Sequence, residues 1–414
     1  MLLDKIPFEI KVEIMKRLPV KSLLQFRSVS KSWKSLIDNP DFIAPYSALN
    51  ADPPQHFLVI DLGFHEYKFA IFSDDDDTSP QQRLTFTTED DSTIPQLVSW
   101  LRHTDDYRVV GSSNGLVCFY GALRFLTVMA VIWNPLVRKA VGVVVPYLRN
   151  ETYQTVIGFG VCGETMDPKI LNITYIIDNK DIDMESVSCI PSQVEIFTLS
   201  TGVWRSPYGN LPRKAIQFDL QPHVAVDGFL YWLASEKITR DGGYNSMTYS
   251  LIVSFDMTTE EFREVNLPDS LALAIHTNKH VLQINRLRTS LVVIDHNEVA
   301  SDPTMGIWMR VDGGFTKLFS LNVNTPYEIV RGFRNNNGVI VDTDGRGGNQ
   351  ELVVYEPNSY NLDVFWIHDR WVWVYPYIET LLLLDQPDLM VYNDISMVYN
   401  DISMWKAKKK RLGF

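Results

Sequence analysis

The chain has 414 residues, a formal net charge of −12, and 45% hydrophobic against 21% charged residues, so it can bury a sizeable core and is not of a disordered composition. Its cysteines, Cys118, Cys162 and Cys189, are odd in number, far apart and free of any C-x-x-C, so neither a disulfide framework nor a zinc site is suggested. The longest apolar run, FLTVMAVIW at Phe125 to Trp133, falls well short of the roughly twenty residues that cross a bilayer.

The opening MLLDKIPFEI has neither the basic stretch nor the apolar run of a secretory signal. The expectation is a soluble protein of the cytoplasm and/or nucleus that keeps its thiols reduced. The N-x-T triplets at Asn150 and Asn172 are then chance matches to a glycosylation signal. Charge is unevenly placed. Residues 1–45 hold eight Lys/Arg against five Asp/Glu, and KAKKKR (Lys406 to Arg411) adds five cations, leaving 25 basic and 45 acidic residues between, net −20. An acidic body argues against nucleic acid as its main ligand, because phosphate contacts need clustered Lys and Arg. It suits either a basic partner or a surface charged only for solubility.

In the first 45 residues Ile6, Ile10, Ile14 and Leu18 recur at spacing four, with Glu9, Lys11, Glu13, Lys16 and Arg17 between them. That predicts an amphipathic helix, with Pro7 in its first turn and Pro19 ending it. A second short helix covers Val20 to Phe26. A third starts at Ser30, a good N-cap, carries Trp33, Leu36 and Ile37, and stops at DNP (Asp38 to Pro40). Chains of about forty residues seldom fold alone without a metal, a disulfide or a partner. Some of Ile6, Leu18, Val20, Leu23, Val29 and Trp33 must therefore face either a partner protein or the rest of this chain.

The stretch IPFEIKVEIMKRLPVKSLLQFRSVSKSWKSLIDNPDF closely resembles the F-box motif of plant F-box proteins. IP (Ile6, Pro7), RLPVKSLLQFRSVSKSW (Arg17 to Trp33) and NPDF (Asn39 to Phe42) fall in the family's order without a gap. The family usually has Leu where Ile6 stands and often Cys where Ser28 stands; both changes are mild. The resemblance implies that the segment binds a Skp-type adaptor and, through it, a cullin-based ubiquitin ligase. The implied adaptor-binding residues are Ile6, Pro7, Ile10, Leu18, Pro19, Val20, Leu23, Phe26, Val29 and Trp33, with the basic residues as their rim.

After PYSALN the pattern changes to short β-rich runs split by Gly, Pro, Asn and Asp. Four segments share a form: AVIWNPLVRKA (Ala130 to Ala140), VEIFTLSTGVW (Val194 to Trp204), IVSFDMTTEEF (Ile252 to Phe262) and LVVYEPNSYNL (Leu352 to Leu362). In each an aromatic (Trp133, Phe197, Phe255, Tyr355) ends an apolar run, a polar turn follows, and an apolar residue returns seven positions later (Ala140, Trp204, Phe262, Leu362). That reads as strand, turn, strand. SNGLVCF, VDGFLYWLA and NNGVIVD each open a β-run on a turn glycine. The hairpin aromatics recur 64, 58 and 100 residues apart, and LVVIDHNEVASDPTMGIWMR (Leu291 to Arg310) sits in the long gap as a degenerate hairpin. The fold class expected is mainly β: a β-propeller-like domain of repeated antiparallel hairpins, preceded by a small three-helix segment, with a β-sandwich or barrel as the alternative.

The body also resembles the F-box-associated domain of the same plant family, through VGSSNGLVCF, IWNPLVRKAVGVVVP, VEIFTLSTGVWRS, AVDGFLYWLA and LIVSFDMTTEEFREVNLP in the family's order over about residues 100–370. It implies a kelch- or propeller-like domain that receives a protein target, without saying which. The boundaries expected are 1–45 for the F-box, 46–99 for a connecting segment and first β-unit, 100–385 for the β-domain and 386–414 for a tail.

Other motifs read as decoys. GSSNG (Gly111 to Gly115) matches G-x-S-x-G with Ser113 as nucleophile, but that elbow needs a helix after it and LVCFY reads as strand. VDTDGRGGNQE (Val341 to Glu351) resembles a calcium loop, yet Ile340 cannot coordinate at its first position. DDDD (Asp74 to Asp77) reads as a solvated loop tip. FWIHDRWVWVYPY (Phe365 to Tyr377) is either a buried strand pair or an exposed aromatic recognition patch. The tail carries a tandem heptapeptide, MVYNDIS at Met390 to Ser396 and again at Met397 to Ser403, and KAKKKR is either a nuclear import signal or a frayed end. The expectation is a non-catalytic subunit without cofactor, metal, nucleic acid or membrane, acting by proximity. The alternatives are an F-box interaction protein that acts without target degradation and, distantly, a hydrolase at Ser113.

Overall fold

Four helices come first: α1 (Phe8–Met15), α2 (Val20–Val29), α3 (Lys31–Ile37) and α4 (Pro40–Leu49). Each start has a local cause. Pro7 and Pro19 precede α1 and α2, the Ser30 hydroxyl accepts the Trp33 N–H at 3.2 Å, and the Asn39 side-chain oxygen accepts the Asp41 N–H at 2.9 Å. Three helices were expected, ending at Pro40. Instead Pro40 occupies the first turn of a fourth helix, where its missing N–H costs nothing. The computed structural model describes residues 7–50, 56–63, 67–74, 80–87, 94–101, 107–123, 127–146, 153–176, 192–213, 216–219, 221–240, 245–272, 280–297, 304–322, 328–344, 350–355, 362–368, 371–387 and 390–392.

Among the described residues that follow, strands predominate. β1 (His56–Leu62), β2 (Tyr67–Ser73) and β3 (Gln81–Thr87) come first, then a short helix α5 (Gln96–Leu101). A sheet follows of β4 (Arg108–Ser113), β5 (Leu116–Leu123), β6 (Thr127–Asn134) and β7 (Lys139–Val144). The next holds β8 (Tyr153–Val161), β9 (Pro168–Ile176), β10 (Gln193–Thr198) and β11 (Val203–Arg205). After it come β12 (Gln217–Phe218), β13 (Val224–Val226), β14 (Phe229–Arg240), β15 (Asn245–Asp256) and β16 (Phe262–Val265). Then β17 (His280–Leu287) to β20 (Gly314–Asn322) are joined through β18 (Ser290–Asn297) and β19 (Thr304–Val311). Another sheet runs from β21 (Ile329–Phe333) through β22 (Val339–Asp344) and β23 (Gln350–Tyr355) to β24 (Leu362–His368). Finally β25 (Trp371–Tyr377) pairs with β1, giving the order β25-β1-β2-β3, and β26 (Met390–Tyr392) adds a parallel strand to β7. The fold is thus mainly β, with six blade-like sheets among the described residues, the class of a six-bladed propeller.

The four hairpins expected from sequence fall in register. Trp133 lies opposite Ala140, Phe197 opposite Trp204, Phe255 opposite Phe262 and Tyr355 opposite Leu362. Trp133, Phe197 and Phe255 are fully buried; Tyr355 is half-buried. Two of the three turn glycines take the turn geometry expected, and in the third turn, before β22, it is Asn337 rather than Gly338 that has positive φ. Asn114 and Gly115 both have positive φ, as do Asp227 and Gly228, the geometry of tight hairpins whose twist matches the strands. Leu291 to Arg310 is the hairpin expected, β18–β19, but it forms the middle pair of its sheet, whereas each of the other four is the last hairpin of its own. The outer hairpin of that sheet is β19–β20, closed by Asp312 and Gly313, again at positive φ.

Close contacts divide the chain into two compact units. One is Met1–Pro54, Thr88–Val145 and Tyr377–Phe414; the other is Gln55–Thr87 and Pro146–Pro376. In the second unit, core clusters form between consecutive sheets. Leu171, Ile173 and Ile196 pack with Leu230, Trp232 and Phe255. Ile252, on the other face of β15, packs with Leu282 and Val293 of the next sheet. Phe57, Val59 and Phe72 meet Ile340, Leu352 and Val354. Central strands are covered on both faces, so they read as continuous apolar runs. Gly158 makes room for this stacking: a Cβ there would lie 2.5 Å from the Trp232 ring.

Buried polar groups tie the turns. The Lys169 ammonium donates to Glu260 at 3.0 Å and to the Met257 carbonyl at 2.7 Å, while Arg205 forks onto both Glu260 oxygens at 2.5 and 2.6 Å. Burial pushes the Glu260 carboxyl upward, but these donors outweigh it and hold the group below its usual range. His223 Nε2 sits 3.2 Å from the Phe159 nitrogen and 2.8 Å from its carbonyl oxygen, and burial lowers its pKa to about 4. Asp74, expected at a solvated loop tip, instead accepts from Arg334 and from the Asn335 N–H, both at 2.9 Å. Asp75 to Asp77 lie outside the described residues.

Candidate functional site

The helical segment holds itself together with few groups. Arg27 on α2 forks onto the Asp38 carboxylate at the end of α3, at 2.5 and 2.9 Å. The Tyr46 hydroxyl of α4 donates to the Leu18 carbonyl at 2.8 Å, closing the turn between α1 and α2. Burial, with Glu379 adding to it, raises the Tyr46 pKa, so this donor keeps its proton at any physiological pH. Phe26 and Trp33 lie with ring centroids 6.4 Å apart.

The residues implied for adaptor binding divide by exposure. Ile10, Phe26 and Val29 are open to solvent at 51%, 42% and 73%. Pro7 and Pro19 are also exposed, and Leu18 and Trp33 are half-buried. Ile6 lies outside the described residues. Val20 and Leu23 were expected to stay accessible; both are fully buried. The apolar stripe of α2 therefore splits. Its Val20–Leu23 side is turned inward, with Met15, Ile37 and Phe42 among the other buried residues of the helices, and the Phe26–Val29 end is left uncovered. Phe8 and Ile14 on α1 are exposed as well and were not singled out for binding. The helix periodicity held Ile14, but periodicity marks a face without saying what covers it.

A second arrangement in the same unit was not foreseen: a seat for α4. The buried Ser47 and Thr380 hydroxyls lie 2.9 Å apart. The Thr380 hydroxyl also accepts the Leu382 N–H at 3.2 Å. Asn134, at the end of β6, donates its amide to the Thr380 and Leu382 carbonyls at 3.0 and 2.8 Å, while its oxygen accepts the Leu136 and Val137 N–H groups at 3.0 and 3.3 Å. Gly115, in the β4–β5 turn, leaves no room for a side chain, since a Cβ would lie 2.2 Å from the Ile378 carbonyl oxygen. Two turns of one sheet thus clamp residues 378–382, and that segment meets α4. The signal was present in the sequence: SNG and WNP both stand out there, but for their turns.

The remaining candidates are structural. Ser113 ends β4 and is followed by a turn and then by β5, so no nucleophile elbow forms. Asp342 takes Arg331 at 2.6 Å and His368 at 3.1 Å. Burial pushes its carboxyl up, but these partners outweigh it and hold it below the usual carboxylate range. The rest of that loop, 345–349, lies outside the described residues. Asn172 is buried and donates to the Pro146 carbonyl, which suits no glycan. Cys118 and Cys162 are buried free thiols. In Phe365 to Tyr377, Phe365 packs edge-on against Phe57 and Phe72 and Trp366 donates to Asp61, while Trp371 is over half exposed. Among the described residues no group of three or more His, Cys, Asp or Glu could hold a metal ion, and no helix is long and apolar enough to cross a membrane.

Comparison with known proteins agrees with this geometry. The F-box domain family matches residues 3–44, and the F-box associated beta propeller domain family matches residues 57–371. An F-box protein of Arabidopsis thaliana is 25% identical over 324 residues, covering 75% of this chain and 73% of its own. A second Arabidopsis thaliana F-box protein is 25% identical over 266 residues, and there the match spans 62% of this chain but only 59% of the relative. An Arabidopsis thaliana F-box/kelch-repeat protein is 22% identical over 357 residues, covering 83% of this chain and 86% of its own. With the helices, the sheets and both family matches in the same order along the sequence, the chain belongs to the plant F-box proteins that carry an F-box associated β-propeller domain.

Proposed function

We propose that the chain is the target-receiving subunit of a cullin-based ubiquitin ligase. The helical segment binds a Skp-type adaptor, and the β-domain holds a protein target. The observation that carries this reading is the uncovered apolar set Phe8, Ile10, Ile14, Phe26 and Val29 on two short helices that already have a core of their own. Exposed apolar side chains grouped on one small segment mark a protein contact. The subunit does no chemistry. It raises the effective concentration of target lysines beside the incoming ubiquitin. Its place in this reading is the cytoplasm and/or the nucleus.

The test has two steps. The full chain is co-expressed with the adaptor and purified; wild type retains it and Phe26→Asp/Val29→Asp does not. A reconstituted ligase is then given proteins captured by the β-domain. Ubiquitin transfer that depends on this chain supports the proposal. Stable capture without transfer sinks the degradative role and leaves an F-box interaction protein.

A further inference from the structure

Strand β26 opens the first copy of a tandem repeat. Met390–Tyr392 pairs in parallel with β7, Met390 opposite Val141, Val391 opposite Gly142 and Tyr392 opposite Val143. Val391 is buried opposite Gly142, whose missing side chain makes room chiefly for Met129. A Cβ on Gly142 would lie 3.4 Å from Val391, 2.9 Å from the Met129 sulfur and 3.5 Å from Leu97. The slot therefore has a floor without a side chain, walls from Met129 and Leu97, and a β7 edge that needs backbone partners. The same seven residues, MVYNDIS, stand again at Met397 to Ser403.

We propose that the β7 edge is a single slot served by two interchangeable strands, Met390–Tyr392 and Met397–Tyr399, so that the tail steps by seven residues. The occupant is a named segment of this chain. Val398 and Tyr399 would stand where Val391 and Tyr392 do, in the same register, so those side chains favour neither copy. The two states differ in the loop that leads from Leu384. That loop is residues 385–389 when the first copy is seated and 385–396 when the second is. Loop-closure probability falls roughly as the three-halves power of loop length, so the first copy is favoured about fourfold and about one chain in five seats the second. In that state the basic run Lys406 to Arg411 starts seven residues nearer the slot.

The test is hydrogen exchange of the β7 amides in the full-length protein, read for wild type, Val391→Asp, Val398→Asp and the double variant. An aspartate in the slot loses the apolar contact and buries a charge, so it bars the copy that carries it. In the proposal, protection sums over both seated states. Val391→Asp then lowers it about fivefold, Val398→Asp hardly changes it, and the double variant abolishes it. If Val391→Asp alone exposes β7 as fully as the double variant, the second copy cannot take the slot and the proposal fails. If the double variant keeps full protection, Val391 does not hold the strand and the slot itself is wrong. Since β26 is an edge strand, melting temperatures of all four proteins give the separate check that the sheets remain folded.

Discussion

The Ser47 hydroxyl lies 2.9 Å from that of Thr380, across 333 residues of sequence and with both side chains buried. One of these residues belongs to the helix that ends the F-box segment. The other follows the strand that completes the first sheet. Through Thr380 and Asn134 the helices are fixed to the β4–β7 sheet by hydrogen bonds, which have narrow geometry, rather than by apolar contact alone.

Asn134→Ala tests that arrangement. It strips the partners from the Thr380 and Leu382 carbonyls, and each buried polar group left unpaired costs about 1–3 kcal/mol. The expected loss is about 3–5 kcal/mol in the urea unfolding of the full chain, with the α4 amides losing hydrogen-exchange protection first.

Two substitutions separate the proposed adaptor face from the helical core. Phe26→Asp acts on an exposed residue. Losing one large apolar contact at an interface costs about 1.5–3 kcal/mol, so adaptor affinity should fall about tenfold to a hundredfold with the melting temperature unchanged. Leu23→Asp instead puts a charge into the helical core. It should lose adaptor and helical structure together, seen as lost hydrogen-exchange protection of the α2 and α3 amides.

His223 makes stability depend on mild acid. Its folded pKa is lowered to about 4, below the unfolded value. Between pH 6.5 and 4 the unfolded chain therefore binds the extra proton, and stability falls as pH falls through that window. The shift corresponds to about 3 kcal/mol. Denaturant titrations from pH 7 to 4 should show the slope in wild type and lack it in His223→Gln, whatever that variant loses at pH 7.

Glu260 titrates in a lower window. Its folded pKa is depressed, so its contribution is complete above the unfolded carboxylate value and is lost as pH falls through the folded one. Removing one member of a buried ion pair costs about 3–5 kcal/mol. Glu260→Ala should show that deficit at pH 7, and the gap to wild type should narrow by pH 3.

Local features were legible in the sequence and distant ones were not. The hairpins could be read because a strand pair joined by a short turn sets its own register, as Phe255 and Phe262 show. The stretch from Leu291 reads as a hairpin and is one, β18–β19, but only the pairing shows that it is the middle pair of its sheet. In the sequence Pro40 reads as a stop, whereas it stands in the first turn of α4, the two readings differing by one turn. The face of α2 was visible, but its division into covered Leu23 and open Phe26 depends on what packs against it. Of the exposed apolar residues, the sequence points to Ile10, Phe26 and Val29 but not to Phe8, and it does not point to the Ser47–Thr380 seat, since nothing in either neighbourhood indicates the other.

The pairing of β25 with β1 has a consequence for synthesis on the ribosome. The first sheet waits for a strand at Trp371–Tyr377, and the seat of α4 waits for Thr380 a few residues later. A nascent chain exposes its F-box helices early but cannot anchor them until Thr380 has left the exit tunnel. Chains cut short before that point by premature termination would carry the handle without its mooring, so translation as far as the seat is written into the geometry that presents the F-box.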